Sequence, residues 1–202
     1  MEVRQLGSLL GDAADVRRRM QLASVAFRSL YTLWLRREKV SLRRRVRLYN
    51  AFVLPVLLYN CGTWGLTRVM LDRLSAFHRK QLRSLAGVRY PHRVRNAALY
   101  KMTWSTSIEQ HLQRARMRLF GHILRLSKET PAQKAMDMYF SPGRRRRGRP
   151  VTCLVTALRH DLSQVNECLR NVQDLERMRE LALDRDRWRD LVQAVCRAQQ
   201  QE

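Results

Sequence analysis

Apolar residues recur every three or four positions through most of this chain, a spacing that suits helices and is incompatible with strands. The first long stripe runs Val16, Met20, Ala23, Phe27, Leu30 and Trp34, in steps of 4, 3, 4, 3 and 4. Asp12 or Asp15 is placed to cap it. Ser41 then opens a second helix with Leu42, Val46, Tyr49 and Val53 on one face, ended or kinked by Pro55. Thr67 opens a third, with Leu71, Leu74, His78, Leu82 and Leu85 facing inward and Gly87 as its stop. After a loop around Tyr90-Pro91, Asn96 starts a short helix. Ser107 caps a longer one, with Ile108, Leu112, Ala115, Leu119, His122 and Leu126 on one face. Thr130-Pro131 is a capped start with proline in the first turn. Further helices are expected over 151–165, 171–183 and 184–200, and Val3 to Leu10, closed by Gly11, as one short strand. The fold class expected is mainly α, with at most one short N-terminal strand.

One segment breaks the pattern. Ser141-Pro142-Gly143-Arg144-Arg145-Arg146-Arg147-Gly148-Arg149-Pro150 holds no apolar side chain other than its prolines, and is expected to be an exposed basic linker before a smaller C-terminal helical segment. Its Arg-Gly-Arg-Pro end resembles the core of an AT-hook, which lays arginines in the narrow minor groove of AT-rich DNA. A plain flexible linker or a nuclear-import signal fits the same residues.

Charge also divides the chain at this point. The whole carries +23, with 40 Lys plus Arg against 17 Asp plus Glu. Residues 1–150 hold 32 bases and 8 acids, whereas residues 151–202 hold 8 and 9. Such an excess calls for a polyanionic partner. Arginine outnumbers lysine 35 to 5. That favours nucleic acid, because guanidinium matches phosphate and stacks on bases, although GC-rich codons would give the same bias. Between Asp72 and Glu109 lie 36 residues without one acid, holding Arg73, Arg79, Lys80, Arg83, Arg89, Arg93, Arg95 and Lys101. Arg79, Lys80 and Arg83 form a ridge away from the apolar stripe of the third helix, as do Arg43, Arg44 and Arg47 on the second. These two ridges and Arg144, Arg145, Arg146, Arg147 and Arg149 are the candidate nucleic-acid contacts.

Catalytic patterns are missing. There is no Asp-Asp pair to hold Mg²⁺, no Asp-x-Lys or Glu-x-Lys and no Gly-rich phosphate loop, so no catalytic residue and no cofactor is expected. Glu180, Asp184, Asp186 and Asp190 alternate with Arg179, Arg185, Arg187 and Arg189, as capping and i,i+4 ion pairs on a solvated helix would. His78 and His122 fall on apolar stripes, and His160 between Cys153 and Cys168 lacks a completing pair, so no metal is expected. The cysteines at 61, 153, 168 and 196 form no CxxC and are expected to be reduced thiols of a nuclear or cytoplasmic protein. The longest apolar run, Ala51 to Tyr59, is too short for a membrane span and is broken by Pro55. Glu2, Asp12 and Asp15 count against a secretory or transit leader.

Several of these stretches together resemble the C-terminal part of non-LTR (LINE-type) retrotransposon reverse transcriptases. Gln5-Leu6-Gly7-Ser8 is similar to the strand that closes the palm, with Gln5 where a tyrosine is usual. The helix from Val16 to Trp34 and Leu48-Tyr49 through Leu57-Leu58-Tyr59 resemble the thumb. Cys61-Gly62-Thr63-Trp64 resembles a Cys-Glu-Thr-Trp element, with Gly62 replacing the glutamate and Asn60 a preceding glycine. Phe77-His78-Arg79-Lys80, Leu119-Phe120-Gly121-His122-Ile123-Leu124-Arg125, Arg145 to Pro150 and Asp184-Arg185-Asp186-Arg187-Trp188 follow in the family's order. After Pro150 the family's usual bases and tryptophan give way to Val151-Thr152-Cys153-Leu154.

The resemblance implies a palm-end remnant over 1–11, a thumb-like helical bundle over 12–87 and a downstream helical region over 88–140. The Arg-rich linker over 141–150 and C-terminal helices over 151–202 complete it. It implies a noncatalytic fragment that holds template–primer, whether RNA, DNA or an RNA–DNA hybrid, through phosphate contacts. The polymerase aspartates, the fingers and the endonuclease of the full-length RNA-directed DNA polymerase would lie upstream of Met1. Three alternatives stay open: a degenerate reading frame without activity, an interaction module that folds only against the missing palm and fingers, and an intact enzyme whose catalytic half was lost in gene prediction.

Overall fold

Each helical stripe must be buried, and the chain does so in two compact units, one comprising residues 1–60 and 66–111, the other 61–65 and 112–202. The computed structural model describes residues 4–5, 7–9, 11–32, 40–141 and 152–198. Trp34, Leu6 and the arginines at 144–149 lie outside the described residues.

In the first unit the expected single strand is instead a hairpin of two-residue strands, β1 (Arg4–Gln5) and β2 (Ser8–Leu9), paired antiparallel. Gly7 turns the chain between them at φ +81°, a conformation that costs glycine little and other residues much. Helix α1 (Asp12–Leu30) follows with Gly11, not an aspartate, at its N-cap position. Asp15 has a different task. Its buried carboxylate accepts the Leu9 N–H at 3.1 Å and sits 3.5 Å from Arg19, which donates to Gly7 O at 2.6 Å and lies 4.2 Å over the Tyr59 ring. This buried pair therefore ties the hairpin to α1.

Helix α2 (Leu42–Phe52) ends one residue before the short α3 (Leu54–Leu57), whose second residue is Pro55, so the proline does mark the break. Ser41 holds the N-cap position but its hydroxyl makes no capping bond. In α4 (Arg68–Ala86), Thr67 accepts the Met70 N–H at 3.4 Å and Gly87 closes the helix in the left-handed region. Helix α5 (Asn96–Thr103) packs on α4. The core holds Val16, Ala23, Val46, Tyr49, Leu57, Leu74, Leu82, Leu85 and Leu99.

The second unit takes α6 (Ile108–Leu124) from Leu112 onward, with α7 (Pro131–Phe140), α8 (Leu154–Ser163), α9 (Val172–Leu183) and α10 (Arg185–Ala198). Ile108 and Leu112 of the expected α6 stripe are buried, but in the later turns the interior holds Met117, Phe120, Ile123 and Leu124, and His122 is exposed. The helical period holds, while bulky Met117 and Phe120 take the inner face there in place of Ala115, Leu119 and His122. The compact units do not divide at the basic tract: α7 before it and α8 to α10 after it bury side chains in one core.

Glycines set the spacing of this core. A Cβ on Gly121 would collide with the Trp188 indole, whose Nε1 donates to Met117 O at 3.1 Å. One on Gly65 would meet the Cys153 backbone at 2.8 Å. Arg116 forms a two-pronged pair with the buried Asp161 at 2.8 and 2.9 Å. Arg179 is likewise buried, bound to Gln133, Asp137 and Glu176, so this part of the C-terminal charge pattern is interior. Asp184 caps α10 through the N–H groups of Asp186 and Arg187, and the neighbouring ion pairs are i,i+3.

Removing one partner of a buried pair strands the other charge, so Asp161→Ala is expected to destabilise the second unit by about 3–5 kcal/mol. Asp161→Leu combined with Arg116→Met recovers most of that loss. Gly121→Ala, by overpacking, is expected to cost roughly 1–3 kcal/mol. Urea unfolding followed by circular dichroism measures all three.

Candidate nucleic-acid interface

The positive charge concentrates in the first unit: 21 bases and 6 acids give it +15, against 19 and 11, or +8, in the second. Five of the second unit's bases are the tract arginines. Among the described residues, the predicted α2 ridge is on the surface. Arg43, Arg44 and Arg47 are exposed because the opposite side of α2 is committed to Val46 and Tyr49. Arg45 rotates inward instead, and its Nε is buried without a hydrogen-bond partner. Arg44 and Arg47 line a recess of about 410 Å³ together with Val40, Leu48 and Ala51.

The α4 ridge is less free. Lys80 is exposed, but Arg79 and Arg83 are half-buried. Arg83 donates to Asn96 Oδ1 at 2.7 Å and to Val94 O at 3.4 Å, tying the approach to α5. Burial raises the pKa of the neighbouring Tyr100 phenol, and Arg79 acts against that rise. Lys80 and Arg83 share a second recess, of about 350 Å³, with Tyr31, Ala76, Ser84, Val88 and Arg89. The two recesses have no lining residue in common.

Tyr31 and Arg89 line this recess without being among the predicted contacts. Arg89 was legible as a base two positions past the Gly87 stop. Tyr31 was not: it lies off the predicted α1 stripe, and nothing local says that the end of α1 packs near the end of α4.

Beneath the α4 ridge lies a buried polar cluster. The Tyr49 hydroxyl is 2.9 Å from His78 Nδ1 and donates to Gln81 Oε1 at 2.8 Å, and the His78 ring stacks on Tyr100 at 6.3 Å. His78 is thus a hydrogen-bonded core histidine. Burial, with the positive charges of His111 and Arg79 adding to it, lowers its pKa to about 3. Among the described residues no group of three metal-ligating side chains comes together. No helix among them is long and apolar enough to cross a membrane.

No family model, no curated protein and no solved structure matches this chain.

The depressed His78 pKa makes stability depend on pH with a definite sign. The unfolded histidine takes up a proton near its ordinary value of about 6.5, whereas the folded one refuses it until about 3. The contribution is therefore complete above about 6.5 and lost progressively as pH falls toward about 3. His78→Gln is expected to flatten this part of the profile relative to wild type, by on the order of a few kcal/mol across the window. Denaturant titrations at stepped pH check it.

Proposed function

We propose that this chain binds the phosphate backbone of nucleic acid, chiefly through its first unit, as a noncatalytic C-terminal fragment of a non-LTR retrotransposon reverse transcriptase. The observation that carries the binding reading is the exposed set Arg43, Arg44, Arg47 and Lys80 on a unit whose formal charge is +15, with its acid-free run from Arg73 to Ile108. Arg43, Arg44, Arg47 and Lys80 are the principal contacts, aided by Arg79 and Arg83 and by the tract arginines 144–147 and 149. Contacts of this type hold a strand without reading its sequence.

Support for the retroelement origin comes from the ordered motifs. Two of them meet in the second unit, where Gly121 of the Gly-His element is the seat for Trp188 of the Asp-Arg-x-x-Trp element. A third, Cys61 to Trp64, lies in the same unit, with Gly62 close to the Ala115 carbonyl. Such packing gives these residue types a reason to occur together.

The second reading, an interaction module completed by palm and fingers, is favoured by the apolar side chains of Val40, Leu48 and Ala51 in the α2 recess and by Phe52, 57% exposed at the end of the same helix. Strong binding of a hydrophobic dye, abolished by Leu48→Glu with Phe52→Glu, would support it.

For the binding reading, each phosphate neutralised on duplex DNA contributes about 0.9 to the slope of log K against log salt. Neutralising Arg43, Arg44 and Arg47 together to Gln is expected to lower that slope by roughly 2–3. The same change at Arg185, Arg187 and Arg189 of α10 is expected to leave it nearly unchanged. Affinities for duplex DNA and an RNA–DNA hybrid across a salt series measure this, and a flat response in wild type would overturn the reading.

A further inference from the structure

We propose that Tyr90 and Trp104, which flank α5 in the chain, are stacking platforms for the bases of a single-stranded nucleic acid whose phosphates meet Arg89, Arg93, Arg95 and Lys101. This rests on the nucleic-acid reading above and deepens it from backbone contact to a strand type.

The first support is a pair of rings that the fold leaves in solvent. Tyr90 is 89% exposed and Trp104 67%. Tyr90 lies in the turn that leads into α5, and Trp104 follows the last residue of that helix. Trp104 also sits in the left-handed region at φ +48°, where glycine or asparagine serves at less cost than a bulky side chain. Neither core packing nor helix capping therefore calls for a tryptophan here. Stacking on a base does, and it tolerates any base because every base has a π-face.

The second support is that the backbone beside each ring is held. The His92 N–H donates to Arg89 O at 2.9 Å across the turn, and Arg83 donates to Val94 O and to Asn96 Oδ1. Past α5, the Trp104 and Ser105 N–H groups donate to Lys101 O and Tyr100 O at 3.3 and 3.1 Å. Leu99 and Thr103, both fully buried, anchor the helix between the rings. A platform already in place loses little freedom on binding.

The third support is charge. Arg89, Arg93, Arg95 and Lys101 are all exposed, and the sequence from Arg73 to Ile108 carries no acid. The eight residues of α5 rise about 12 Å, so one short strand can reach both rings. An anionic membrane also suits cations and aromatic rings, but it needs a broad apolar face to bury. Between Arg89 and Trp104 the exposed nonpolar residues besides the two rings are only Pro91, Ala97 and Ala98. A base inside a duplex is stacked on both faces, so these rings select single strands, ends or unpaired segments.

The test uses the full chain and two 12-residue probes of equal charge, oligothymidylate and an abasic strand, read by fluorescence anisotropy. Wild type is expected to prefer the strand with bases by roughly 5-fold or more for each ring engaged. Tyr90→Leu with Trp104→Leu brings that ratio close to one, whereas Tyr90→Phe with Trp104→Phe keeps most of it. Arg89→Gln with Arg93→Gln weakens both probes alike and lowers the salt slope by about 0.7 per contact. Equal affinities in wild type, or an unchanged ratio in the double leucine variant, would overturn the stacking surface while leaving backbone binding intact. Binding of duplex DNA with no binding of either single strand would do the same, and binding of none of the three would overturn both readings. Vesicles of anionic phospholipid that hold wild type but not the double leucine variant, with oligothymidylate binding unchanged between them, would reassign the surface to membrane.

Discussion

A phenol buried without a partner for its hydroxyl costs about 1–3 kcal/mol, and the first unit is built around meeting that demand at Tyr49. The ring of Tyr49 is fully buried, so its hydroxyl has only α4 to turn to, and it takes His78 and Gln81. Those two bonds fix the register of α2 on α4. The ring's edge meets Phe27 and so places α1, while His78, held by the same hydroxyl, presents its other surroundings to Tyr100 of α5. Four helices thus depend on one side chain. The outward directions of Arg43, Arg44 and Arg47 follow from it, since the turn of α2 that buries Tyr49 leaves them nowhere but the surface.

A chain with 35 arginines must also decide which of them to bury. Desolvating an unpaired guanidinium is prohibitive, whereas pairing it inside makes removal of the partner the expensive event. Arg19, Arg116 and Arg179 take the second course, each held by carboxylates or carbonyls from another element. They act as cross-links, and they explain why net charge overstates the binding surface. The cations available to a polyanion are those that no such partner claims.

The helices were legible because their stripes repeat faithfully: α4 is bounded by Thr67 and Gly87 as its sequence implies, and α5 and α7 begin where Asn96 and Pro131 place them. Local rules failed where distant residues intervened. Asp15 looks like a cap but is drawn to the Leu9 N–H by burial, and His122 looks interior until Met117 and Phe120 take the inner face. On the site, the α2 ridge was legible from spacing alone. Arg83 was legible as a cation but not as a partner of Asn96, and nothing local set Tyr31 in the same recess as Lys80 and Arg83. Pattern reading sees what one helix presents; a recess is made by two.

The basic tract shows the same limit at the level of domains. A run of arginine, glycine and proline without apolar side chains has the composition of a linker, and linkers ordinarily separate bodies. Yet Met136 and Phe140 before it and Val155, Leu158 and Leu162 after it share one core. Close to its two ends, the Cys153 thiol lies 3.7 Å from the Tyr139 hydroxyl. The compact unit therefore continues across the tract's place in the sequence instead of ending there. Five of the unit's +8 formal charges are the tract's arginines, so most of its excess is written into ten residues of sequence, whereas Arg43, Arg44 and Arg47 of the first unit are set on the surface of one helix.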